Sequence, residues 1–417
     1  MRFDIKGGRR LSGEIKVAGN KNSILPIMAA CLLTGQPCIL ENVPKISDVS
    51  VLADLLEKCG AKVKGIGSSK LTIDCKNIKS ATFPSTLTEK LRASVLLLGP
   101  MLARAGSIKM GYPGGDVIGR RPLTTHIQAL TSLGATIKED DDFFQAKTQH
   151  LKGTEVFLQE ASVTATENVL MAASLIDDQT VIKRAASEPH VVDLCNFLAK
   201  LGVEIRGIGS DVLKIRGKKQ LSGATHTIRP DHLEVGTFAI CAAITKGTVR
   251  ISPIIKEDLD MILLVLGKFG VNFKIEDGTL IVADSKLKAV EKVVVDIWPG
   301  FPTDLMAPMI VLATQAEGAT ILHDWMYESR MFFVDKLLSM GAKVVIADPH
   351  RVLVYGPTNL RGQKLDTPDI RAGIALVIAA LAAKGKSSIE RAELIERGYE
   401  DVVQRLTNLG AEIKKLE

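Results

Sequence analysis

A glycine recurs at a near-constant interval through this chain of 417 residues. Each time it follows an amphipathic run and precedes a short strand-like segment. The instances are Lys58-Cys-Gly-Ala-Lys-Val, Ser132-Leu-Gly-Ala-Thr-Ile, Lys200-Leu-Gly-Val-Glu-Ile, Lys268-Phe-Gly-Val-Asn-Phe, Ser339-Met-Gly-Ala-Lys-Val and Asn408-Leu-Gly-Ala-Glu-Ile. The glycines are Gly60, Gly134, Gly202, Gly270, Gly341 and Gly410, spaced by 74, 68, 68, 71 and 69 residues. Glycine just past a helix end is the common left-handed cap, because it carries no Cβ to clash. One such cap constrains little. Six at one period mean six copies of one structural unit.

Each unit has a second half upstream. A nearly all-apolar helix is expected over Ile24–Leu33, Ala93–Arg104, Val169–Ile176, Phe238–Thr245, Leu305–Gln315 and Ala372–Ala383. Turns follow at Gly35, Gly106, Gly247, Gly318 and Gly385, with Asp177-Asp178 taking the glycine's place in the third unit. A strand, a loop, an amphipathic helix and a second strand complete the unit. Asp48–Lys58 shows the helical spacing, with Val49, Leu52, Leu55 and Leu56 on one face. A helix apolar all round must be covered on all sides. The expected fold is therefore α/β, six helix-strand repeats, three per domain. The first domain spans 21–229 and carries the loop 111–121. The second combines 1–20 with 230–417. The strands Phe3–Ile5 and Gly13–Val17 are expected to complete the second domain's sheets, so that the chain crosses between domains near Gly19-Asn20 and Arg229-Pro230. A cleft between two similar domains is a common ligand site, and the loops after each first strand would line it.

Composition narrows the class. The chain is 46% hydrophobic, 24% charged and only 4% aromatic, with 35 glycines, which suits a tightly wound α/β protein. The net charge of +6 is spread without a basic run, which argues against a nucleic-acid partner. The six cysteines form no CxxC pair, and most sit in apolar contexts, so no metal site is expected. The N-terminus lacks the apolar core of a signal peptide. The longest apolar run, Ile374–Ala383, is roughly half of a membrane span, so no membrane insertion is expected. A cytoplasmic location follows, and a monomer is the favoured state.

Charged residues concentrate in the loops. Gly111–Arg121 reads Gly-Tyr-Pro-Gly-Gly-Asp-Val-Ile-Gly-Arg-Arg, a loop centred on Asp116 and closed by Arg120 and Arg121. Other loops carry Ser187-Glu188-Pro189-His190, Tyr327-Glu328-Ser329-Arg330 and Glu396-Arg397-Gly398-Tyr399-Glu400. Arg92 and Arg371 open two of the apolar helices, where the helix dipole disfavours a cation. Such a placement points to a bound anion or to an ion pair with a nearby acid. Lys21 and Asn22 sit at another helix start, where backbone N–H groups favour anions. Asp304, after Phe301-Pro-Thr, is an acid at a helix start.

Lys21-Asn22, Leu91-Arg92-Ala93-Ser94, Pro113-Gly-Gly-Asp-Val-Ile-Gly-Arg-Arg-Pro122, Phe301-Pro-Thr-Asp304, Asp369-Ile-Arg371 and Arg397-Gly-Tyr-Glu400 resemble the motifs of the UDP-N-acetylglucosamine 1-carboxyvinyltransferase family. The resemblance covers the full chain and keeps the motif order. It implies an enolpyruvyl transferase fold, a two-domain inside-out α/β barrel with three repeats per domain. It also implies transfer of the enolpyruvyl group of phosphoenolpyruvate to the 3-hydroxyl of UDP-N-acetylglucosamine, with release of phosphate. The reaction is addition then elimination through a tetrahedral ketal, with no metal or organic cofactor, and it commits the precursor to peptidoglycan.

The resemblance implies a role for each position. Asp304 is the candidate base. Lys21, Arg121 and Arg397 hold phosphoenolpyruvate, chiefly its phosphate, with Arg330 and Arg371 near its carboxylate. A guanidinium fork suits this by meeting two oxygens at once. Arg92, Asn22 and the segment Arg121, Pro122, Leu123, Thr124 and Thr125 hold the nucleotide sugar, with Ser162, Val163 and Thr164 near the UDP. Met326 and Tyr327 are carried over as substrate-binding positions, and Asp369 lies near the catalytic centre. Asp116 is the proton donor, in a loop whose glycines would serve lid movement.

Asp116 is the main departure, since most of the family has cysteine there. Free aspartic acid has a pKa of about 3.9 against about 8.5 for a thiol. A carboxyl donates a proton near neutrality only where desolvation or neighbouring anions favour its acid form. Some family members carry aspartate here and remain active. The expectation is an active enzyme insensitive to fosfomycin, which alkylates the family's cysteine. Smaller departures are Thr124 where Asp or Asn is usual, Glu160 where Lys is frequent and Thr164 where Gly is usual. Glu160 either repels a diphosphate or is merely solvated.

Four alternatives stand beside this reading. 5-Enolpyruvylshikimate-3-phosphate synthases share fold and donor but not the Pro-Gly-Gly-Asp loop. A different nucleotide-sugar acceptor would leave the enolpyruvyl chemistry intact. RNA 3′-terminal phosphate cyclases use related repeats, but no basic stripe or adenylylation histidine motif is present. A non-catalytic regulatory paralogue would be expected to lose charges that Lys21, Arg121, Asp304 and Arg397 retain.

Overall fold

A computed structural model describes residues 1–79, 82–116 and 118–417. Val117, in the loop 111–121, lies outside the described residues. The chain forms two compact units. One comprises Gly19–Gly115 and Arg121–Arg229, the other Met1–Ala18, Asp116–Arg120 and Pro230–Glu417.

The repeat is richer than helix, strand, helix, strand. The stretch from Glu155 to Arg216 shows the full pattern. A short strand, Glu155–Phe157, leads into the helix Val163–Ala173 and a second strand, Gln179–Lys183. The helix Pro189–Leu201 follows, then a hairpin of Glu204–Arg206 and Val212–Arg216. The sheet runs first, second, fourth, third, with the first two strands parallel and the rest antiparallel. Among the described residues, all six four-stranded sheets follow this order.

Three repeats are completed by strands from elsewhere in the chain. Thr225–Thr227 pairs parallel with Cys38–Glu41 and so supplies the first strand of the repeat built around the helix Lys21–Ala30. Arg2–Lys6 lies antiparallel between Lys386–Glu390 and Glu412–Leu416, where a fourth strand belongs. Ser12–Lys16 pairs parallel with Thr248–Ser252 as a first strand. The extra strands escape periodicity because several are only three residues long, too short for alternation to register.

Helices fill the interior and sheets face outward. All thirteen residues of His232–Ile244 are buried, as are twelve of thirteen in Ile370–Ala382. Strands alternate instead: in Thr248–Ser252, Val249 and Ile251 are buried while Thr248 and Arg250 are exposed. Interior helices approach closely through glycine. A Cβ on Gly236 would meet the Leu305 side chain at 2.6 Å, and one on Gly99 would meet the Asn168 carbonyl oxygen at 2.2 Å. The Asn168 side chain accepts from the Gly99 N–H at 2.7 Å, locking that crossing.

The six period-setting glycines all have φ between 78° and 108°, the left-handed cap. The turn glycines divide. Gly106, Gly318 and Gly385 have positive φ, whereas Gly247 leaves room for the Leu11 carbonyl oxygen, which a Cβ would meet at 2.1 Å. Several helices begin earlier than apolarity suggests, at Lys21 rather than Ile24 and at His232 rather than Phe238. Val163–Ala173 includes Thr166, Glu167 and Asn168, polar residues that are buried. Arg92–Leu97 is a 3-10 turn before the helix Leu98–Ala105.

Candidate active site

In the unit holding residues 230–417, charge gathers on Asp304. This residue lies in the 3-10 turn Thr303–Leu305, which leads into the apolar helix Met306–Gln315. One carboxylate oxygen accepts from Arg330 at 3.1 Å and the other from Arg371 at 2.8 Å. Both arginines are buried, while a quarter of the Asp304 side chain stays accessible, at 26%. The carboxylate is thus held by two buried cations and stays partly accessible.

Arg371 stands in the first turn of Ile370–Ala382, the placement that pointed to an anion or an acid. Here it meets an acid. Its second guanidinium nitrogen donates to the Tyr399 hydroxyl at 2.9 Å, and that hydroxyl shares a hydrogen bond with Thr237 at 2.9 Å. Burial works against the charge of Arg371, but Asp304, Tyr399 and Asp231 outweigh it and hold its pKa above the ordinary value. Arg330 is likewise raised: desolvation opposes its charge, and Asp304, Asp369 and Asp324 overcome it. Its guanidinium also lies 5.2 Å from the centre of the Tyr327 ring.

Asp369 has a structural task at this point. One of its oxygens caps the helix, accepting from the N–H groups of Arg371 at 2.8 Å and Ala372 at 3.0 Å. Burial raises its pKa, the nearby Arg330 charge opposes the rise, and the charge of Asp116 adds to it. Asp116 itself pairs with Arg397 at 3.1 Å. Arg397 ends the 3-10 segment Ala392–Arg397. The Glu328 side chain accepts from the Arg120 N–H at 3.2 Å, and the Ser329 N–H donates to the Ile118 carbonyl at 3.0 Å. Gly119, with φ of 137°, admits Glu328, whose carboxylate a Cβ would meet at 2.2 Å. Met326 and Tyr327 are set by Asp324, which accepts from their N–H groups at 3.0 and 3.3 Å. Asp324 is fully buried, takes a short hydrogen bond from Thr303, and has its pKa raised by burial.

In the other unit, Lys21 opens the helix Lys21–Ala30 and pairs with Asp48 at 2.7 Å, both largely buried. Asn20 caps that helix by accepting from the Asn22 and Ser23 N–H groups at 2.7 and 3.1 Å. Arg92 donates to the backbone carbonyls of Arg121 at 2.6 Å and Pro113 at 3.4 Å. Its guanidinium therefore ties the two ends of the loop together. The glycines of this loop permit close packing. A Cβ on Gly114 would meet the Glu89 carbonyl oxygen at 2.0 Å, and one on Gly115 would meet the Arg92 Cβ at 2.8 Å.

Pro122 and Leu123 precede the helix Thr124–Ser132, with Leu123 buried and Pro122 and Thr124 exposed. The Thr125 hydroxyl donates to Glu160 at 3.2 Å. Glu160, although exposed, is thus held rather than merely solvated. Ser162 caps Val163–Ala173 through the Ala165 N–H at 3.4 Å. Thr164 meets the ring nitrogen Nε2 of His126 at 2.8 Å. Burial, reinforced by the Arg92 charge, lowers the His126 pKa to about 3.

Several partners carry no motif and were not singled out: Asp48, His126, Asp231, Thr237 and Asp324. Asp231 caps His232–Ile244, accepting from Leu233 and Glu234 at 2.9 and 3.3 Å. Its place just ahead of an apolar helix, like that of Asp369, was a readable capping signal. The others are defined by contacts distant in sequence. Glu167 and Glu188 are similar. Both are desolvated acids, and burial pushes the Glu188 carboxyl up to about 7.

Comparison with known proteins places this geometry in context. The family model described as EPSP synthase (3-phosphoshikimate 1-carboxyvinyltransferase) matches residues 5–406. A UDP-N-acetylglucosamine 1-carboxyvinyltransferase from Treponema denticola is 45% identical, covering 100% of this chain and 99% of its own. The protein of the same name from Borreliella burgdorferi is 47% identical over the same shares. Among solved structures, the enolpyruvyl transferase NikO from Streptomyces tendae superposes with a TM-score of 0.89 at 25% identity, covering 99% of this chain and 98% of its own. EPSP synthase from Acinetobacter baumannii, 18% identical with a TM-score of 0.76 and full coverage of both chains, shares the fold.

Proposed function

The chain belongs to the EPSP synthase family of carboxyvinyltransferases, in its UDP-N-acetylglucosamine 1-carboxyvinyltransferase group, and from that premise we propose that it moves the enolpyruvyl group of phosphoenolpyruvate to the 3-hydroxyl of UDP-N-acetylglucosamine. Phosphate leaves, and the product is the first committed precursor of peptidoglycan, made in the cytoplasm. The observation that carries the reading is the partly accessible Asp304 carboxylate held by Arg330 and Arg371.

Each group then has a task. Asp304 takes the proton of the sugar hydroxyl as that oxygen attacks the C2 carbon of phosphoenolpyruvate. Two buried guanidiniums fix the carboxylate, so little reorganisation is needed when the proton arrives. Asp116 delivers a proton to the C3 methylene, giving the tetrahedral ketal. Elimination then returns a proton from C3 and expels phosphate. Lys21, Arg121 and Arg397 are assigned to the phosphate, and Arg330 and Arg371 to the carboxylate. Arg92, Asn22, Pro122, Leu123, Thr124, Thr125, Ser162, Val163, Thr164, Met326 and Tyr327 are assigned to the nucleotide sugar, with Asp369 supporting the catalytic centre. Arg397 already pairs with Asp116, so substrate phosphate would compete for that guanidinium and loosen the carboxyl for proton transfer.

The deciding assay is phosphate release from phosphoenolpyruvate across a panel of nucleotide sugars. Turnover with UDP-N-acetylglucosamine is expected. Turnover only with another nucleotide sugar would replace the acceptor and keep the chemistry, and no release with any acceptor would sink the enolpyruvyl assignment.

A further inference from the structure

Two cations fix the Asp304 carboxylate, and that creates a conflict. A carboxylate touching two guanidiniums is favoured as the anion, which weakens it as an acceptor of a proton. Further acids must offset those cations if the carboxylate is to act as a base. Asp231 acts on Arg371, and Asp369 and Asp324 act on Arg330. Of these, Asp231 and Asp369 already cap helices. Asp324 caps none.

Asp324 and Asp304 meet Arg330 at different nitrogens. Nη2 of Arg330 lies 3.1 Å from Asp304, and Nε lies 4.0 Å from Asp324. Asp324 is 0% exposed and Arg330 3%, so water screens this pair little. The Asp324 backbone is clipped to His350, whose carbonyl accepts from the Asp324 N–H at 2.9 Å and whose Nδ1 meets the Asp324 carbonyl at 2.7 Å. Its carboxylate accepts from the hydroxyl of Thr303, the residue before Asp304, and from the Met326 and Tyr327 N–H groups. These groups all donate, which favours the ionised form against the desolvation that opposes it. The repeat does not demand an acid at this place. The residues that follow the last parallel pair of the six sheets are Asn42, Gly111, Arg184, Pro253, Asp324 and Arg391.

We propose, on the reading of Asp304 as the base, that Asp324 is a positioning residue: its charge engages Arg330 and so keeps the Asp304 carboxylate able to take the proton of the acceptor hydroxyl. One guanidinium then serves two carboxylates. Asp324 takes up part of its field, and the rest orients Asp304 without disabling it. The other charged and titratable groups around Asp304 are Arg371, Asp231, Asp369 and, through Arg371, the Tyr399 hydroxyl.

Turnover against pH at saturating phosphoenolpyruvate and UDP-N-acetylglucosamine tests this in wild type, Asp324→Asn, Asp324→Glu and Thr303→Val. The acid limb of the kcat profile reports the base in the bound state, as a property of the whole cluster. In Asp324→Asn that limb should move to lower pH by about one unit and the plateau should fall about three- to tenfold, with no rise in KM for phosphoenolpyruvate. Asp324→Glu returns the charge and should return the limb. Thr303→Val removes the hydroxyl but keeps the charge, so its limb should stay at the wild-type pH. An Asp324→Asn limb that does not move, or an equal movement in Thr303→Val, would overturn the proposal. Denaturant unfolding of Asp304→Asn, Asp324→Asn and the double variant needs no turnover. The double variant should lose more than the sum of the two single midpoint shifts, because it alone strips Arg330 of both carboxylates. A loss equal to the sum or smaller would show that Arg330 is not shared and would also overturn it. Wild type that releases no phosphate with any nucleotide sugar would instead sink the enolpyruvyl assignment, and the unfolding comparison would still decide whether Arg330 is shared.

Discussion

Arg371 reaches Asp304 at 2.8 Å from the first turn of a helix whose dipole disfavours it. The carboxylate, together with the Tyr399 hydroxyl and a second guanidinium at Arg330, offsets that placement. The cluster is a carboxylate preset by two cations, and its parts can be separated by substitution.

Asp304→Asn keeps the side-chain shape but removes the proton acceptor. Turnover should fall by about a hundred- to ten-thousandfold with a much smaller change in KM for the nucleotide sugar. Stability should also fall, by up to about 3 kcal/mol, because two buried guanidiniums lose their counter-charge. Steady-state phosphate release and denaturant unfolding measure the two effects separately.

Tyr399→Phe breaks the chain that runs from Thr237 through Tyr399 to Arg371. All three are buried, so the Arg371 N–H is left without its acceptor. A loss of about 1–3 kcal/mol is expected. Thr237→Ala combined with Tyr399→Phe should cost less than the two single losses together, since both delete one shared bond. Equal, additive losses would show that the hydroxyl does not link them.

Asp116→Cys should convert an enzyme insensitive to fosfomycin into one that it inactivates. The wild-type loop presents a carboxylate paired with Arg397 where the drug needs a thiolate. Inhibition kinetics combined with intact-protein mass report it. An adduct on wild type, with loss of activity, would contradict the assignment of this position.

His126 sets an acid limit on stability. Burial, with the Arg92 charge, holds its native pKa at about 3, whereas an unfolded histidine titrates near 6.5. Below about 6.5 the unfolded chain binds a proton that the native chain refuses, so stability is full above that pH and declines as pH falls toward about 3. His126→Gln should flatten this part of the unfolding profile. A slope unchanged by the substitution would assign the acid loss to other groups.

The repeat was readable because it depends on local chemistry. Gly60 and its five counterparts must adopt positive φ after a helix, and no other residue does so at so little cost. The buried helices were readable from apolarity alone, and their starts blurred only where burial accepted polar residues such as Thr166, Glu167 and Asn168. The strands Arg2–Lys6 and Ser12–Lys16 were readable, but the short first strands such as Glu155–Phe157 and Thr225–Thr227 were missed, because three residues leave no alternation to read.

The sequence by itself determined six repeats, their glycine caps, the apolar helices and an ordered set of charged loop residues. Those features follow from backbone conformation, side-chain polarity and spacing, which act over a few residues. Only the tertiary structure decided which charges meet: Asp304 with Arg330 and Arg371, Asp116 with Arg397, Lys21 with Asp48. It alone showed that Gly114 and Gly115 give room to Glu89 and Arg92. Electrostatic pairing depends on distance in space, and residues 281 positions apart, such as Asp116 and Arg397, acquire that distance only when the chain has folded.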